Sequence, residues 1–221
     1  MITLALDAST HTGSVAVLAD GRVIGAGTAA MRGRDEERLM PAVDATLRDA
    51  GLGFADVERI VCGAGPGSFT SLRIAASIAK GVAAGRAVPL FAASSLALIV
   101  AGNVQQAAGA EARFVAAIDA LRGESYAASF RFDGQCVRQT GALRLTSHES
   151  LAAIALLEGA DLVGPEQRIA WLPHARGVSF LTGEDDSLTG PVDLAAWEPI
   201  YGRMAEAQVK WEATHGRPLS P

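Results

Sequence analysis

Short apolar runs open the chain, and their breaks fall where turns belong. Ile2 to Leu6 is apolar and ends in Asp7, followed by the polar stretch Ala8-Ser9-Thr10-His11-Thr12. Gly13 to Ala19 then alternates up to Asp20-Gly21, a dipeptide favoured in tight hairpins because both positions tolerate positive φ. Arg22 to Thr28 reads as the returning strand. From about Asp35 to Ala50 the period becomes helical, with Leu39, Met40, Val43 and Leu47 on one face and Gly51 where a C-terminal cap belongs. Pro41 either kinks this helix or starts its regular part. A strand, Arg59 to Cys62, leads into the turn Gly63-Ala64-Gly65-Pro66-Gly67. Ser68 or Thr70 caps a second helix running to about Ala84. Val88 to Ala92 forms a fifth strand, and Ser94 or Ser95 caps a third helix towards Ala108.

The order then recurs. Phe114 to Ile118 is an apolar strand ending in Asp119, and a turn through Arg122-Gly123 leads to a strand from Ser125 to Phe132. Asp133-Gly134 precedes Gln135 to Thr140, Ser147 precedes a helix from Glu149 to Glu158, and Asp161 to Val163 closes the unit. Asp20 follows Asp7 by 13 positions, and Asp133 follows Asp119 by 14. Matched order and spacing predict a duplicated βββαβ unit. After Gly164 the second copy fades: Pro165 to Arg176 holds two prolines and no clean period, and Val178 to Leu181 is a candidate strand. Thr182 to Thr189 is polar and acidic. The expected organisation is α/β, with a complete first half over residues 1–108 and a truncated second half over 109–221 that includes a terminal helix.

Composition narrows the function classes. With 49% apolar and 19% charged residues in a chain of 221, intrinsic disorder is excluded, and one large domain or two small ones can be built. Aromatics are only 5%, so the core must be packed from small side chains. A net charge of −5 and a pI near 5.4 argue against a chain that grips nucleic acid by itself. Cys62 and Cys136 give neither a disulfide framework nor metal-ligand spacing. The most apolar window, Leu90 to Val100, is interrupted by Ser94 and Ser95 and too short for a bilayer, and no signal-like run precedes the first strand. A cytoplasmic location is expected.

Two turns carry candidate chemistry. An aspartate at the end of a central strand followed by Ser9 and Thr10 suits a phosphate or metal-bound water at the carboxyl ends of the strands, with Asp119 facing them across a cleft. The simpler reading, that these groups cap strand ends and satisfy turn amides, stays open. Gly63-x-Gly65-Pro66-Gly67-Ser68 lets the backbone approach a ligand or a neighbouring element, and the helix start supplies free N–H groups. It lacks the Gly-Lys-Ser/Thr of a Walker motif, the spacing of a dinucleotide fingerprint and the Gly-x-Ser-x-Gly of a nucleophile elbow. His11, His148, His174 and His215 show no ligand-pair spacing, so no metal site is expected, and Cys62 reads as an inert core thiol. The second helix, Ser71 to Ala84, is apolar around most of its circumference, with Arg73 and Lys80 its only charges. Such a helix wants burial on more than one side, and Ala75, Ala79 and Ala83 permit close approach, either within the core or by a partner.

Leu4 to Thr10, Gly13 to Val17 and Gly65-Pro66-Gly67-Ser68-Phe69-Thr70-Ser71-Leu72-Arg73-Ile74 together resemble the glycoprotease-like family of the actin/Hsp70/sugar-kinase superfamily. Ala117 to Tyr126 and Glu198-Pro199-Ile200-Tyr201 narrow the resemblance to its TsaB-like (YeaZ-like) members. The resemblance implies an actin-like ATPase (ribonuclease H-like) fold of two βββαβα-type halves, the second truncated. It further implies a non-catalytic subunit of tRNA threonylcarbamoyladenosine synthesis without protease activity. The implied partners are the transferase TsaD, in a heterodimer, and the ATPase TsaE, with self-pairing when alone and tRNA met only through the complex. Catalytic relatives carry a metal-binding histidine pair where this chain reads Asp35-Glu36-Glu37-Arg38-Leu39-Met40-Pro41. Partner contacts are implied at Leu39, Met40, Val43, Leu47, Leu72, Ile74, Ala75, Ile78, Ala79 and Val82. Candidate nucleotide positions are Asp7, Ser9, Thr10, Gly65, Gly67, Ser68 and Asp119. No cofactor is required, and ATP or ADP is expected at the complex, weakly or not at all on the isolated chain. The alternative is a self-sufficient ATP-dependent kinase or ATPase of the same superfamily.

Overall fold

Alternation along the first strand sets the layering. In β1 (Ile2–Asp7), Leu4 and Leu6 point to one face, and Thr3, Ala5 and Asp7 to the other. The computed structural model describes residues 1–31, 37–104 and 111–201. β1 pairs antiparallel with β2 (Thr12–Ala19), which pairs antiparallel with β3 (Arg22–Ala30). β4 (Arg59–Gly63) and β5 (Leu90–Ala93) continue the sheet in parallel on the far side of β1. Leu4, Leu6, Val15 and Val17 pack under α1 (Leu39–Asp49) and α2 (Phe69–Arg86). Ala5, Ala16 and Val61 face α3 (Ser95–Ala101), every residue of which is buried.

The second sheet closes on the other side of α3. β6 (Ala112–Asp119) pairs antiparallel with β7 (Glu124–Phe132), which pairs with β8 (Val137–Gln139), while β10 (Asp161–Gly164) runs parallel to β6; β9 (Arg144–Ser147) precedes β10 in the chain and also pairs with β7. Phe114, Ala116, Ala128 and Phe130 meet α3, and Val115, Ala117 and Ala127 lie under α4 (His148–Glu158). The layers are therefore helix, sheet, helix, sheet, helix. Each sheet has its first-entered strand inside it, antiparallel strands on one side and parallel strands on the other, except that the edge strand β12 (Leu188–Thr189) pairs antiparallel with β5. This is the expected actin-like, two-half arrangement. Alanines on both inner faces let one helix be shared by two sheets, which gives the low aromatic content a structural reason.

Local departures have local causes. Asp20 (φ 48°) and Gly21 (φ 79°) form the expected hairpin turn, but in the second copy only Gly134 takes positive φ. There Asp133 accepts the amides of Gln135 and Cys136, which hold its carboxyl down at about 2. Pro41 lies in the first turn of α1 and starts it, and the Glu37 carboxylate accepts the amides of Leu39 and Met40. Residues 35–36 and 105–108, where two helices were expected to extend, lie outside the described residues, as does the terminal helix expected beyond Tyr201.

The expected strand Val178–Leu181 is instead a 3-10 turn, Ala175–Phe180. Gly177 passes so close to the end of α3 that a Cβ would stand 2.8 Å from the Ala101 carbonyl carbon, and Ala175 N–H donates to Ser14 Oγ (2.9 Å). The segment lies against α3 and the first three strands, while β11 (Ile169–Ala170) extends the second sheet on β10 and β12 (Leu188–Thr189) the first on β5. The division at residue 108 also needs correction. From Leu188 onwards the chain returns to the first sheet: Val192 N–H donates to Leu90 O (2.8 Å) and Ile200 N–H to Ala64 O (2.7 Å).

Candidate functional site

Asp7 points inward towards α3 and is wholly buried. Its Oδ1 accepts the Ser9 amide (2.9 Å) and hydroxyl (2.8 Å), and its Oδ2 accepts the Ser95 hydroxyl (2.6 Å). Ser95 Oγ in turn accepts the Gly65 amide (3.0 Å), and Ser95 N–H donates to Gly65 O (2.9 Å). Ser68 N–H donates to Ser9 O (2.8 Å), and Ser68 Oγ lies 3.0 Å from Ser71 Oγ. Thr10 Oγ1 donates to Thr12 O (3.1 Å).

The glycines make these contacts possible. A Cβ on Gly63 would overlap Asp7 Oδ2, one on Gly67 would overlap Ser9 O, and one on Gly65 (φ +84°) would overlap Ile200 O. The loop thus approaches its own neighbours closely, and the donors and acceptors of the Asp7 turn are spent inside the chain. Burial raises the Asp7 pKa, against the lowering effect of the bonds from Ser95 and Ser9.

Of the candidate nucleotide residues, the structure brings together Asp7, Ser9, Gly65, Gly67 and Ser68, with Thr10 in the adjoining turn. Asp119 does not join them. By alternation it shares the face of Val115 and Ala117, and its Oδ1 accepts the Leu121 amide (2.9 Å) and lies 3.2 Å from Nε2 of His148, the first residue of α4. The expectation that it faces Asp7 across a cleft is therefore corrected. A strand period of two turns Asp119 to the outer face of its sheet, whereas Asp7 turns inward. Burial and the nearby Asp7 charge push the Cys62 thiol up, away from nucleophilic use. Among the described residues no three His, Cys, Asp or Glu side chains converge as a metal site.

Asp7 makes a pH prediction. Its folded pKa is raised, so below the unfolded value near 3.8 it is protonated in both states. As pH rises from there to the folded pKa, unfolding releases a proton and the chain loses stability. Above the folded pKa that loss is complete. Asp7→Asn removes this titration, so its stability relative to the unsubstituted chain should improve as pH rises through the window and stay level beyond it. Urea midpoints between about pH 4 and pH 8 measure it; a constant difference across that range would contradict the account.

The partner positions split in two. Leu39, Val43, Leu47, Ala75 and Ala79 are buried in the core beneath the first sheet, and Leu72 is buried beside Gly65, so for them the contact expectation is corrected. Leu39, Val43 and Leu47 line the inner stripe of α1, and Ala75 and Ala79 that of α2, where the sheet already covers them. Met40 (37% exposed) and the half-buried Ile74, Ile78 and Val82 remain at the surface. Sequence reasoning missed Ser95 as the clamp on Asp7, although Ser94-Ser95 directly follows an apolar strand. It also missed the aromatic supports of α2. Phe69 and Tyr201 stack with centroids 4.7 Å apart, Arg73 lies 4.2 Å over Phe69 and 5.4 Å over Tyr201, and Lys80 lies 5.8 Å over Trp197.

A family model described as TsaD, tRNA N6-adenosine threonylcarbamoyltransferase, matches residues 32–166. The solved structure of YeaZ from Pseudomonas aeruginosa superposes with a TM-score of 0.69 at 30% identity, over 81% of this chain and 89% of that one. The chain belongs to the TsaB/YeaZ-like family. The TsaB protein of Bacillus subtilis is 26% identical over 234 residues, 96% of this chain and 98% of its own length. The TsaB protein of Escherichia coli is 35% identical over 133 residues, 60% of this chain, and the match spans little more than half (56%) of that relative. Within this TsaB-like fold, Gly65–Ile74 is the segment that locks the Asp7 turn to the start of α2. Among the described residues no helix is long and apolar enough to cross a membrane.

Proposed function

We propose that the chain is a non-catalytic subunit of tRNA threonylcarbamoyladenosine biosynthesis. It pairs through α1 and α2 with a TsaD-type transferase and helps recruit a TsaE-type ATPase. The relatives named tRNA threonylcarbamoyladenosine biosynthesis protein TsaB support the pathway. The observation that carries the scaffold role is the surface of the two helices, where Ile74, Ile78 and Val82 of α2 stand half-buried and Met40 of α1 is exposed, while the Asp7 turn has its hydrogen bonds satisfied internally. Apolar residues in that position favour a partner that removes them from water. The transferase presents the tRNA, in keeping with a net charge of −5 on this chain. Contact with ATP or ADP belongs to the assembled complex, because Gly65 and Gly67 of the isolated chain are closed against Ile200 and Ser9. In the absence of the transferase the same face serves self-pairing.

Reconstitution tests this reading. The chain, TsaD and TsaE are mixed with ATP, threonylcarbamoyl adenylate and tRNA, and nucleosides from the digested tRNA are read by mass spectrometry. Threonylcarbamoyladenosine should form with all three proteins present and fall to background when this chain is omitted. The chain alone should neither modify tRNA nor hydrolyse ATP. ATP turnover by the isolated chain, abolished by Asp7→Asn, would instead establish the independent ATPase or kinase.

A further inference from the structure

We propose that the outer face of α2 is shaped for a helix of a different protein that carries carboxylates along one flank, and that it favours such a helix over a second copy of this chain, which pairs there only when that helix is absent. The inference rests on α2 being the docking face, as argued above, and names the chemistry of its occupant. All three charges of α2, Arg73, Lys80 and Arg86, are positive in a chain of net charge −5, and the helix holds no acidic residue. Turning about 100° per residue sorts its solvent side into strips. Exposed Thr70, Ser77, Gly81 and Ala84 run down the middle, with Ile74, Ile78 and Val82 on one flank and Arg73 and Lys80 on the other.

Among the described residues the two cations are held in place but not neutralised. None of the ion pairs among the described residues involves Arg73 or Lys80. Aromatic faces hold them instead: Phe69 and Tyr201 under Arg73, and Trp197 beside Lys80. Two of these three rings come from the terminal strap that runs back along α2. A cation resting on a ring keeps its charge for an incoming anion and loses little further side-chain freedom on binding. Arg73 also sits near the positive end of the helix dipole, an unfavourable place that an arriving carboxylate relieves.

The strip between the flanks is independently informative. A Cβ placed on Gly81 or on Gly85 meets nothing within 4 Å. Glycine inside a helix is less favourable than alanine, and no packing among the described residues accounts for these positions. Close approach of a partner backbone does.

Self-pairing meets a charge conflict on this surface. In a two-fold contact, residue i of one copy opposes residue j of the other and the reverse holds too. Antiparallel α2 helices crossing near Ser77 would set Arg73 of each copy towards Lys80 of the other. A helix with carboxylates on that flank meets both cations favourably, and the repulsion acts as discrimination against self.

The test uses the full-length chain and its TsaD partner, with affinity measured by calorimetry at low and high salt. The unsubstituted chain should bind roughly tenfold or more weakly in high salt. Arg73→Glu/Lys80→Glu should lose about 30-fold or more at low salt and lose the salt dependence. Arg73→Gln/Lys80→Gln, which keeps most of the ring contacts, should bind at an intermediate level. Gly81→Ala should melt higher than the unsubstituted chain yet bind about fivefold or more weakly. In sedimentation, self-association should strengthen with salt, and an equimolar mixture of unsubstituted and Arg73→Glu/Lys80→Glu chains should form a mixed dimer. Charge-reversed chains that bind TsaD normally with the usual salt response would overturn the proposal. A Gly81→Ala chain that gains stability at no cost in binding would overturn the close approach. Should the unsubstituted chain not bind TsaD at all, the docking reading fails, and the mixed-dimer arm still decides whether the cationic flank sets partner choice.

Discussion

Replacing Gly63 with alanine should lower the stability of the chain by about 3 kcal/mol or more. The added Cβ would overlap Asp7 Oδ2 and stand 2.7 Å from Asp7 Cγ and 3.0 Å from Asp7 Cβ. A surface carboxylate would swing away at little cost. This one is wholly buried, and both oxygens are already held by Ser9 and Ser95. Moving it breaks those bonds and strands a carboxylate beneath α3, which is among the expensive events in a protein interior. Urea unfolding of the two chains measures the loss. The variant Asp7→Ala/Gly63→Ala separates cause from correlation: removing the carboxylate should recover part of the stability lost to Gly63→Ala, beyond what Asp7→Ala alone predicts. Strict additivity would mean that the two side chains do not compete for the same space.

Ile78→Asp should weaken association with a TsaD-type partner by about 100-fold or more, equivalent to about 2.7 kcal/mol. Ile78 is the middle residue of the half-buried ridge on α2, so a docked helix would cover it from both ends. An aspartate there must be desolvated on docking without a partner made for it. The fold should survive, because the position is only partly buried. Leu47→Asp provides the contrast: Leu47 is buried in the core beneath the first sheet, and the substitution should unfold the chain rather than merely uncouple it. Size-exclusion chromatography of each variant with TsaD, beside a melting curve of each alone, distinguishes these outcomes. Co-elution of Ile78→Asp with TsaD at wild-type strength would remove α2 from the interface.

Legibility followed the range of the interactions. The Asp20-Gly21 turn was readable because both residues must take positive φ locally, and they do. Gly51 ends α1 as expected, in the left-handed conformation (φ 72°) with Leu52 N–H donating back to Leu47 O (2.9 Å). The Val178–Leu181 segment was misread because an apolar run states a wish for burial, not the form of it. Its place against α3 is set by Gly177 and Ser14. Asp119 was misplaced by a single step of strand parity, since spacing between two aspartates carries no information about which face each takes. The partner positions were half right for a related reason. Leu39 and Met40 are both apolar, yet one is sealed beneath the first sheet and the other faces water.

By itself the sequence determined the alternating units, the repeated strand and helix order, the small-residue core and, through Gly65–Ile74, the family. These depend on contacts between residues near in sequence, or on a pattern that survives without coordinates. Only the tertiary structure decided that the glycine loop is closed on its own neighbours, with Ser95, 88 positions away, as the clamp on Asp7. It alone decided that the chain after Ser187 returns to strap α2, and so places Trp197 and Tyr201 against Lys80 and Arg73. The reason is physical: apolarity and charge are properties of a residue, but burial and partnership belong to the surface that happens to face it.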